Sequence, residues 1–330
     1  MDKIRSIAEE IVNPELIERL INSNSEFICY NGFEPSGRMH IAQAFITINN
    51  IKTLTSLGGK FILYIADYFA FLNHKLGGDM EKINDTANYF IEIFKACGLP
   101  ENVQIIKSSS FIKEHLQEYF ELVMDISSFS TVNQVKNTLP ALGRQNDKIL
   151  YVSHFLYSCM QVADVMLLNV DVAQLGSDQR KVNMLAIEYA KSRKRKIPSV
   201  VSHHMLRGLR QSDVKMSKSD PYSAIFIDDD RETIFKKINK AYCPPSIVDN
   251  PIYEYVKYII LPNVGHICIN GNEYTNIEDV MTFIINSPRT IKDAVAEALD
   301  EMIEPIRKHF NSTPELHELS ERVKSYRVNH

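Results

Sequence analysis

Several groups of residues in this chain combine types and spacings that suit chemistry. The first runs from Tyr30 to Gln43, where a short apolar run leads into Gly32, Ser36, Gly37, His40 and Gln43. A strand, a glycine-containing loop and a helix N-terminus form a common receptor for phosphate. Backbone N–H groups and the helix dipole converge there, and glycine lets the backbone come close. A plain turn has the same composition, so this stretch alone does not decide between the two. The second group is Tyr157, Gln161 and Asp164, spaced by four and three residues and so on one helix face. Polar side chains gathered on an apolar helix are costly to bury unless a ligand meets them. The third is Gly176-Ser177-Asp178-Gln179, a turn opening a helix, in which Asp178 can equally serve as a cap. Further on, Lys215-Met216-Ser217-Lys218-Ser219 sets two cations and two hydroxyls in a polar loop.

These groups need elements to hold them. Residues 26–30 read as a buried strand, and Ile41, Phe45, Ile48 and Leu54 recur at helical spacing. Residues 4–22 predict one N-terminal helix. A second strand at 60–66, a helix at 79–96 stopped by Gly98-Leu99-Pro100, and a third strand at 103–107 follow. Residues 108–145, extending to about 150, read as a helical insertion and a candidate for subunit contacts. A helix at 153–168, a strand at 171–175, a helix to about 190 and a strand at 199–202 resume the alternation. This order predicts an α/β fold, a Rossmann-like doubly wound parallel sheet. Beyond Pro221 strand signals fade, and helices near 230–241, 248–261, 276–286, 289–310 and 314–326 predict an all-α C-terminal domain. The expected division is 1–222 and 223–330.

Composition narrows the class. With 330 residues, 45% hydrophobic and 24% charged, the chain can bury a sizeable core. Its net charge of −4 excludes nucleic-acid binding by overall charge, leaving local patches such as the basic run 191–196. That run also reads as a solvated loop. The five cysteines are scattered without a C-x-x-C pair, which argues against a disulfide framework or zinc site. No secretory leader or membrane-length apolar run is visible, so a cytoplasmic location is expected.

His40-Ile41-Ala42-Gln43 at the first helix, paired with Lys215-Met216-Ser217-Lys218-Ser219, resembles the signature pair of the class I aminoacyl-tRNA synthetases. Tyr30-Asn31-Gly32-Phe33-Glu34-Pro35-Ser36-Gly37, Tyr157-Ser158-Cys159-Met160-Gln161-Val162-Ala163-Asp164 and Gly176-Ser177-Asp178-Gln179-Arg180-Lys181 are similar to the tyrosyl-tRNA synthetases of archaeal and eukaryotic type. Ala241-Tyr242-Cys243-Pro244-Pro245 is similar as well.

The resemblance implies a tyrosine–tRNA ligase working as a homodimer without an appended domain. ATP is its substrate, with Mg²⁺ held mainly through the nucleotide and no protein-bound metal or prosthetic group. Tyrosyl-adenylate forms first, and tyrosine then passes to tRNA(Tyr). The attacking carboxylate is already ionised, so the enzyme needs alignment and charge stabilisation rather than a general base. Carried over, His40, Gln43, Lys215 and Lys218 act on the phosphates. Tyr30 and Asp164 bind the phenolic hydroxyl, and Tyr157, Gln161 and Gln179 hold the α-ammonium. Gly32, Ser36, Gly37, Gly176, Asp178, Met216, Ser217 and Ser219 complete the nucleotide site, with Gly176 and Asp178 at the ribose. Arg180 and Lys181 meet the tRNA acceptor stem. Polar groups aimed at a hydroxyl stay unpaired when the ligand lacks it, a logic borrowed from this family itself.

Two departures from the family pattern stand out. Ala42 and Gln43 replace the Gly-His of His-Ile-Gly-His, and Thr290 stands where the archaeal anticodon loop has an aspartate. The alternatives are a tryptophanyl-tRNA synthetase, another nucleotidyltransferase of the superfamily, and an inactive synthetase-derived RNA-binding protein.

Overall fold

The computed structural model describes residues 1–143, 149–211, 216 and 222–326. It opens with α1 (Asp2–Ile7), β1 (Glu10–Val12) and α2 (Pro14–Asn22). The single helix expected over 4–22 is therefore corrected. Pro14 lacks the N–H that a helix interior requires but suits a first turn, and Asn13 before it is left-handed (φ 55°).

The alternating part continues through β2 (Phe27–Phe33), α3 (Ile41–Thr55), β3 (Gly59–Ile65), α4 (Asp67–Leu72), α5 (Met80–Ala96) and β4 (Gln104–Lys107). The insertion is helical, as expected: α6 (Ser108–Glu114), α7 (Leu116–Phe129) and α8 (Val132–Lys136). Then come α9 (Val152–Leu167), β5 (Val172–Gly176), α10 (Arg180–Ser192) and β6 (Ser199–His203). Gly32, read as part of a loop, lies inside β2 opposite Tyr64. Gly37 is in the loop, with φ 116°.

The sheet order is β1-β6-β5-β2-β3-β4, parallel except for β1, which lies antiparallel on β6. From β2 the chain winds outward through β3 and β4, then returns to build β5 and β6 on the other side. The reversal between β2 and β5 is a switch point, where the C-terminal ends of strands leave a crevice. Alternation along β2 sends Cys29 to one face and Tyr30 to the other. Cys29, Leu63, Ile48 and Phe90 join one core cluster, which continues into Ile234, Ile291, Val295 and Leu299 of the C-terminal part. Tyr30, Tyr64, Tyr119, Ile126, Val162 and Tyr189 form the other.

The C-terminal part is helical: α11 (Arg231–Lys240), α12 (Pro251–Tyr255), a π turn Val256–Ile260, α13 (Leu261–Val264), α14 (Ile277–Asn286), α15 (Pro288–Phe310) and α16 (Pro314–Ser325). One addition interrupts it, the hairpin β7 (Ile267–Ile269) and β8 (Asn272–Tyr274). Its turn is Asn270-Gly271, both at positive φ, a strong two-residue hairpin signal hidden by very short strands. Among the described residues, no helix is long and apolar enough to cross a membrane.

Candidate active site

A cavity opens at the switch point. Tyr30, Gly32, Ser36, His40, Gln43, Tyr157, Gln161, Asp164, Gly176, Asp178, Gln179 and Met216 all line it. Gly37 does not, and Arg180 and Lys181 lie outside it on the exposed start of α10. Lys215, Ser217, Lys218 and Ser219 fall outside the described residues.

At the blind end sits Asp164, fully buried on α9. Its Oδ1 accepts from the hydroxyls of Tyr64 and Tyr119, each at 2.9 Å, while Oδ2 has no partner among the described residues. Burial pushes this carboxyl well above the usual range, against the opposing pull of the two hydroxyls. Tyr30 is 2% exposed, with its ring 5.6 Å from that of Tyr64. A Cβ on Gly32 would come within 2.8 Å of the Tyr30 hydroxyl oxygen, so the glycine makes room for this tyrosine. An unpaired carboxylate oxygen beside a phenol suits a ligand hydroxyl. Sequence reasoning missed Tyr64 and Tyr119, which resemble ordinary core aromatics until the fold brings them to Asp164.

Along the middle, burial and the nearby Glu34 carboxylate push the Tyr157 phenol well above its usual range, and its ring meets Phe69 edge-on at 4.8 Å. Gln161 Nε2 donates to Gln179 Oε1 (3.2 Å), and Gln179 Nε2 to the Ala141 carbonyl (3.0 Å). Glu34 also lines the cavity, accepts from Asn73 Nδ2 (3.0 Å) and lies 3.6 Å from Lys75 Nζ. It was also missed, although it stands inside the glycine-rich stretch. A carboxylate among amide and phenol oxygens suits a cationic ammonium.

The other end is built on the N-terminus of α3. His40 caps the helix, its Nδ1 accepting from the Gln43 N–H (3.4 Å). The Oε1 of Gln43 is buried without a partner among the described residues. Backbone bonds tie this loop to residues 225–227: Ile41 N–H to Ile225 O and Ile227 N–H to Met39 O, both 3.0 Å. Arg38 forks onto Asp228 (2.9 and 2.6 Å) and reaches Asp229 (2.9 Å), which also pairs with the buried Lys237 of α11. The phosphate-type loop is thus fastened to the chain that follows the Lys215–Ser219 motif. Met216, 8% exposed and the described residue of that motif, lines the cavity wall.

Asp178 lies in the 3-10 turn Ser177–Gln179, and α10 has no side-chain cap, so its role as a cap is not realised. Arg180 pairs with Glu10 of β1 at 2.7 Å. In the basic run 191–196, Arg193 pairs with Asp125 and Lys196 with Asp171. Arg289 and Thr290 lie in the first turn of α15. Among the described residues, the group with metal-ligand potential is His266, Cys268 and Glu273 on the hairpin, outside the cavity.

The family model described as tRNA synthetases class I (W and Y) matches residues 22–307. The chain is 43% identical to cytoplasmic tyrosine–tRNA ligase 2 of Arabidopsis thaliana, covering 98% of this chain and 45% of that protein. With ligase 1 of the same plant it shares 42% identity, covering 98% and 88%. A solved structure of Leishmania major tyrosyl-tRNA synthetase with tyrosinol superposes with a TM-score of 0.94 at 38% identity, covering 99% of this chain and 60% of that one. The chain therefore spans about half the length of some of the relatives it matches.

Proposed function

The chain belongs to the class I tRNA synthetases (W and Y), and from that premise we propose that it is a tyrosine–tRNA ligase. It activates L-tyrosine with ATP and transfers the tyrosyl group to the 3′ end of tRNA(Tyr). The observation that carries the choice of tyrosine is the blind end of the cavity, where Asp164 Oδ2 is unpaired beside Tyr30. A tyrosine hydroxyl satisfies that oxygen; an indole or a phenyl ring without a hydroxyl leaves it orphaned. Tyr157, Gln161 and Gln179, with Glu34, then surround the ammonium and leave the carboxylate facing the α3 N-terminus.

At that end Ser36, His40 and Gln43 receive the ATP phosphates, with Lys215, Met216, Ser217, Lys218 and Ser219 as further phosphate contacts. Gly176 and Asp178 hold the ribose. The carboxylate oxygen attacks the α-phosphorus and pyrophosphate leaves. The protein contributes alignment, together with N–H donors and cations for the charge that builds on the phosphates. Mg²⁺ neutralises phosphate charge when it arrives with the nucleotide. Glu34, Asp164 and Asp178 are divided among separate parts of the cavity, and among the described residues none joins a group with metal-ligand spacing.

Residues 1–222 serve as the catalytic domain and 223–330 as the anticodon-binding domain, with Arg180 and Lys181 on the acceptor stem. The insertion supplies the homodimer contact. Leu116, Phe120 and Met124 of α7, one turn apart, are 62%, 61% and 49% exposed, an apolar stripe of the kind that partners cover. The cytoplasm is the proposed location, in line with the names of the plant relatives.

Tyrosine-dependent ATP–pyrophosphate exchange tests this reading, with tyrosine, tryptophan and phenylalanine supplied singly. Exchange with tyrosine alone is expected. Exchange with tryptophan would overturn the assignment of the blind end. Silence with all three would favour an RNA-binding protein without activation chemistry.

A further inference from the structure

Gly176, Asp178 and His203 meet on the cavity wall. β5 and β6 are parallel neighbours, and Gly176 is paired with His203 at their C-terminal ends. A Cβ built on Gly176 would lie 2.5 Å from Met205 Sδ, 2.7 Å from Asp178 Oδ1 and 3.6 Å from His203 Nε2. The missing Cβ leaves room for the Met205 thioether, and a carboxylate oxygen and an imidazole nitrogen border the same point of the cavity wall.

That imidazole is not free to choose where its proton sits. Asn31, Gln174 and His203 form a polar row across three adjacent strands, β2, β5 and β6. Asn31 Nδ2 donates to Gln174 Oε1 (3.1 Å), and Gln174 Nε2 lies 2.8 Å from His203 Nδ1. With its oxygen taken by Asn31, Gln174 presents its NH₂ to the ring. Nδ1 therefore accepts, and the neutral ring carries its proton on Nε2. Asn31 and Gln174 are 3% and 0% exposed, where an unpaired amide is costly, so the row stays bonded from end to end. Burial, helped by His204 next door, lowers the His203 pKa to about 4, which keeps the ring neutral at physiological pH. The result is an N–H donor and a carboxylate acceptor beside the same glycine.

A vicinal diol matches such a pair. One hydroxyl donates to the carboxylate, and the oxygen of its neighbour accepts from the ring N–H. We propose that His203 is a ribose-binding residue, donating from Nε2 to one hydroxyl of a nucleotide whose other hydroxyl bonds Asp178. Gln174 and Asn31 are positioning residues that set its tautomer. The inference rests on the reading of this cavity as an ATP site, and adds to it a donor on β6 that neither motif contains.

Calorimetric titration of ATP, 2′-deoxyATP and 3′-deoxyATP into protein saturated with tyrosinol, which lacks a carboxylate and cannot react, tests it. His203→Phe should bind ATP about fivefold more weakly. It should also lose discrimination against one deoxynucleotide while keeping discrimination against the other, which Asp178 reads. Tyrosinol affinity should not change. Nitrogen-15 NMR of the histidine ring should show His203 protonated on Nε2 in the wild type and a mixture of tautomers in Gln174→Met. Equal ATP affinity in wild type and His203→Phe overturns the proposal, and so does an Nδ1-protonated ring in the wild type. If ribose discrimination depends on His203 but tyrosine-dependent exchange is absent, the proposed ligase activity fails and the ribose site stands.

Discussion

At the scale of single residues, Asp164 is a buried carboxyl held against the interest of stability. It has no basic partner among the described residues, only the hydroxyls of Tyr64 and Tyr119 on one oxygen. Its folded-state pKa is raised by burial. An acid raised in this way favours the folded state only while it is protonated. The penalty is absent below the unfolded value of about 3.9, grows as pH rises, and is complete above the folded pKa. Asp164→Asn keeps the shape and removes the charge. It should be more stable than wild type by about 1 kcal/mol at neutral pH, with the gain vanishing near the unfolded pKa. Thermal unfolding at the two pH values checks this. The same variant should lose most of its preference for tyrosine over phenylalanine in exchange assays. Unchanged selectivity would remove Asp164 from the hydroxyl site.

At the scale of elements, the join between the α3 N-terminus and α11 is the most informative. Arg38, Asp228, Asp229 and Lys237 form a cluster around the Phe226 ring, with Arg38 4.4 Å and Lys237 5.0 Å from its centroid. Both side chains of the Lys237–Asp229 pair are 4% exposed, so each ion has given up its water for the other. Removing Lys237 leaves Asp229 with Arg38 as its cation and the Phe226 N–H on its other oxygen. Lys237→Met, which keeps the stem and loses the charge, should lower the unfolding free energy by about 3 kcal/mol. Urea denaturation measures it, and a loss within error of zero would show that Arg38 alone compensates Asp229. The glycine-loop-to-helix pattern and the Tyr157–Gln161–Asp164 spacing were legible in the sequence because both are local. This ion cluster was not, since Arg38 and Asp228 are 190 residues apart in the chain.

At the scale of the whole molecule, the proposed dimer depends on the stripe along α7. A charge placed in the middle of a covered apolar stripe has no partner and prevents burial. Phe120→Asp should therefore sediment as a monomer at micromolar concentration where the wild type sediments as a dimer. A wild-type monomer under those conditions would overturn the interface. Half-exposed phenylalanine on a helix is ordinary when isolated; three apolar residues a turn apart are not. The sequence pointed to the insertion as a contact region, but only the folded chain distinguishes the outer stripe from Tyr119, Leu122 and Ile126, which the same helix buries.

What the sequence by itself determined is local or repeated along the chain. Strand and helix alternation gave the doubly wound sheet, helical spacing put polar residues on one face of α9, and motif wording pointed to the family. It misread the N-terminus, where one proline and a left-handed asparagine split a helix, and the short hairpin, whose strands are too brief to show a period. Only the tertiary structure decided which distant groups meet. Tyr64 and Tyr119 occupy one oxygen of Asp164 and leave the other without a partner among the described residues. Gln174 turns the His203 ring, and Asp229 ties two motifs together. The physical reason is that burial makes every polar atom need a partner, and that partner is chosen by strand order and packing rather than by position in the chain.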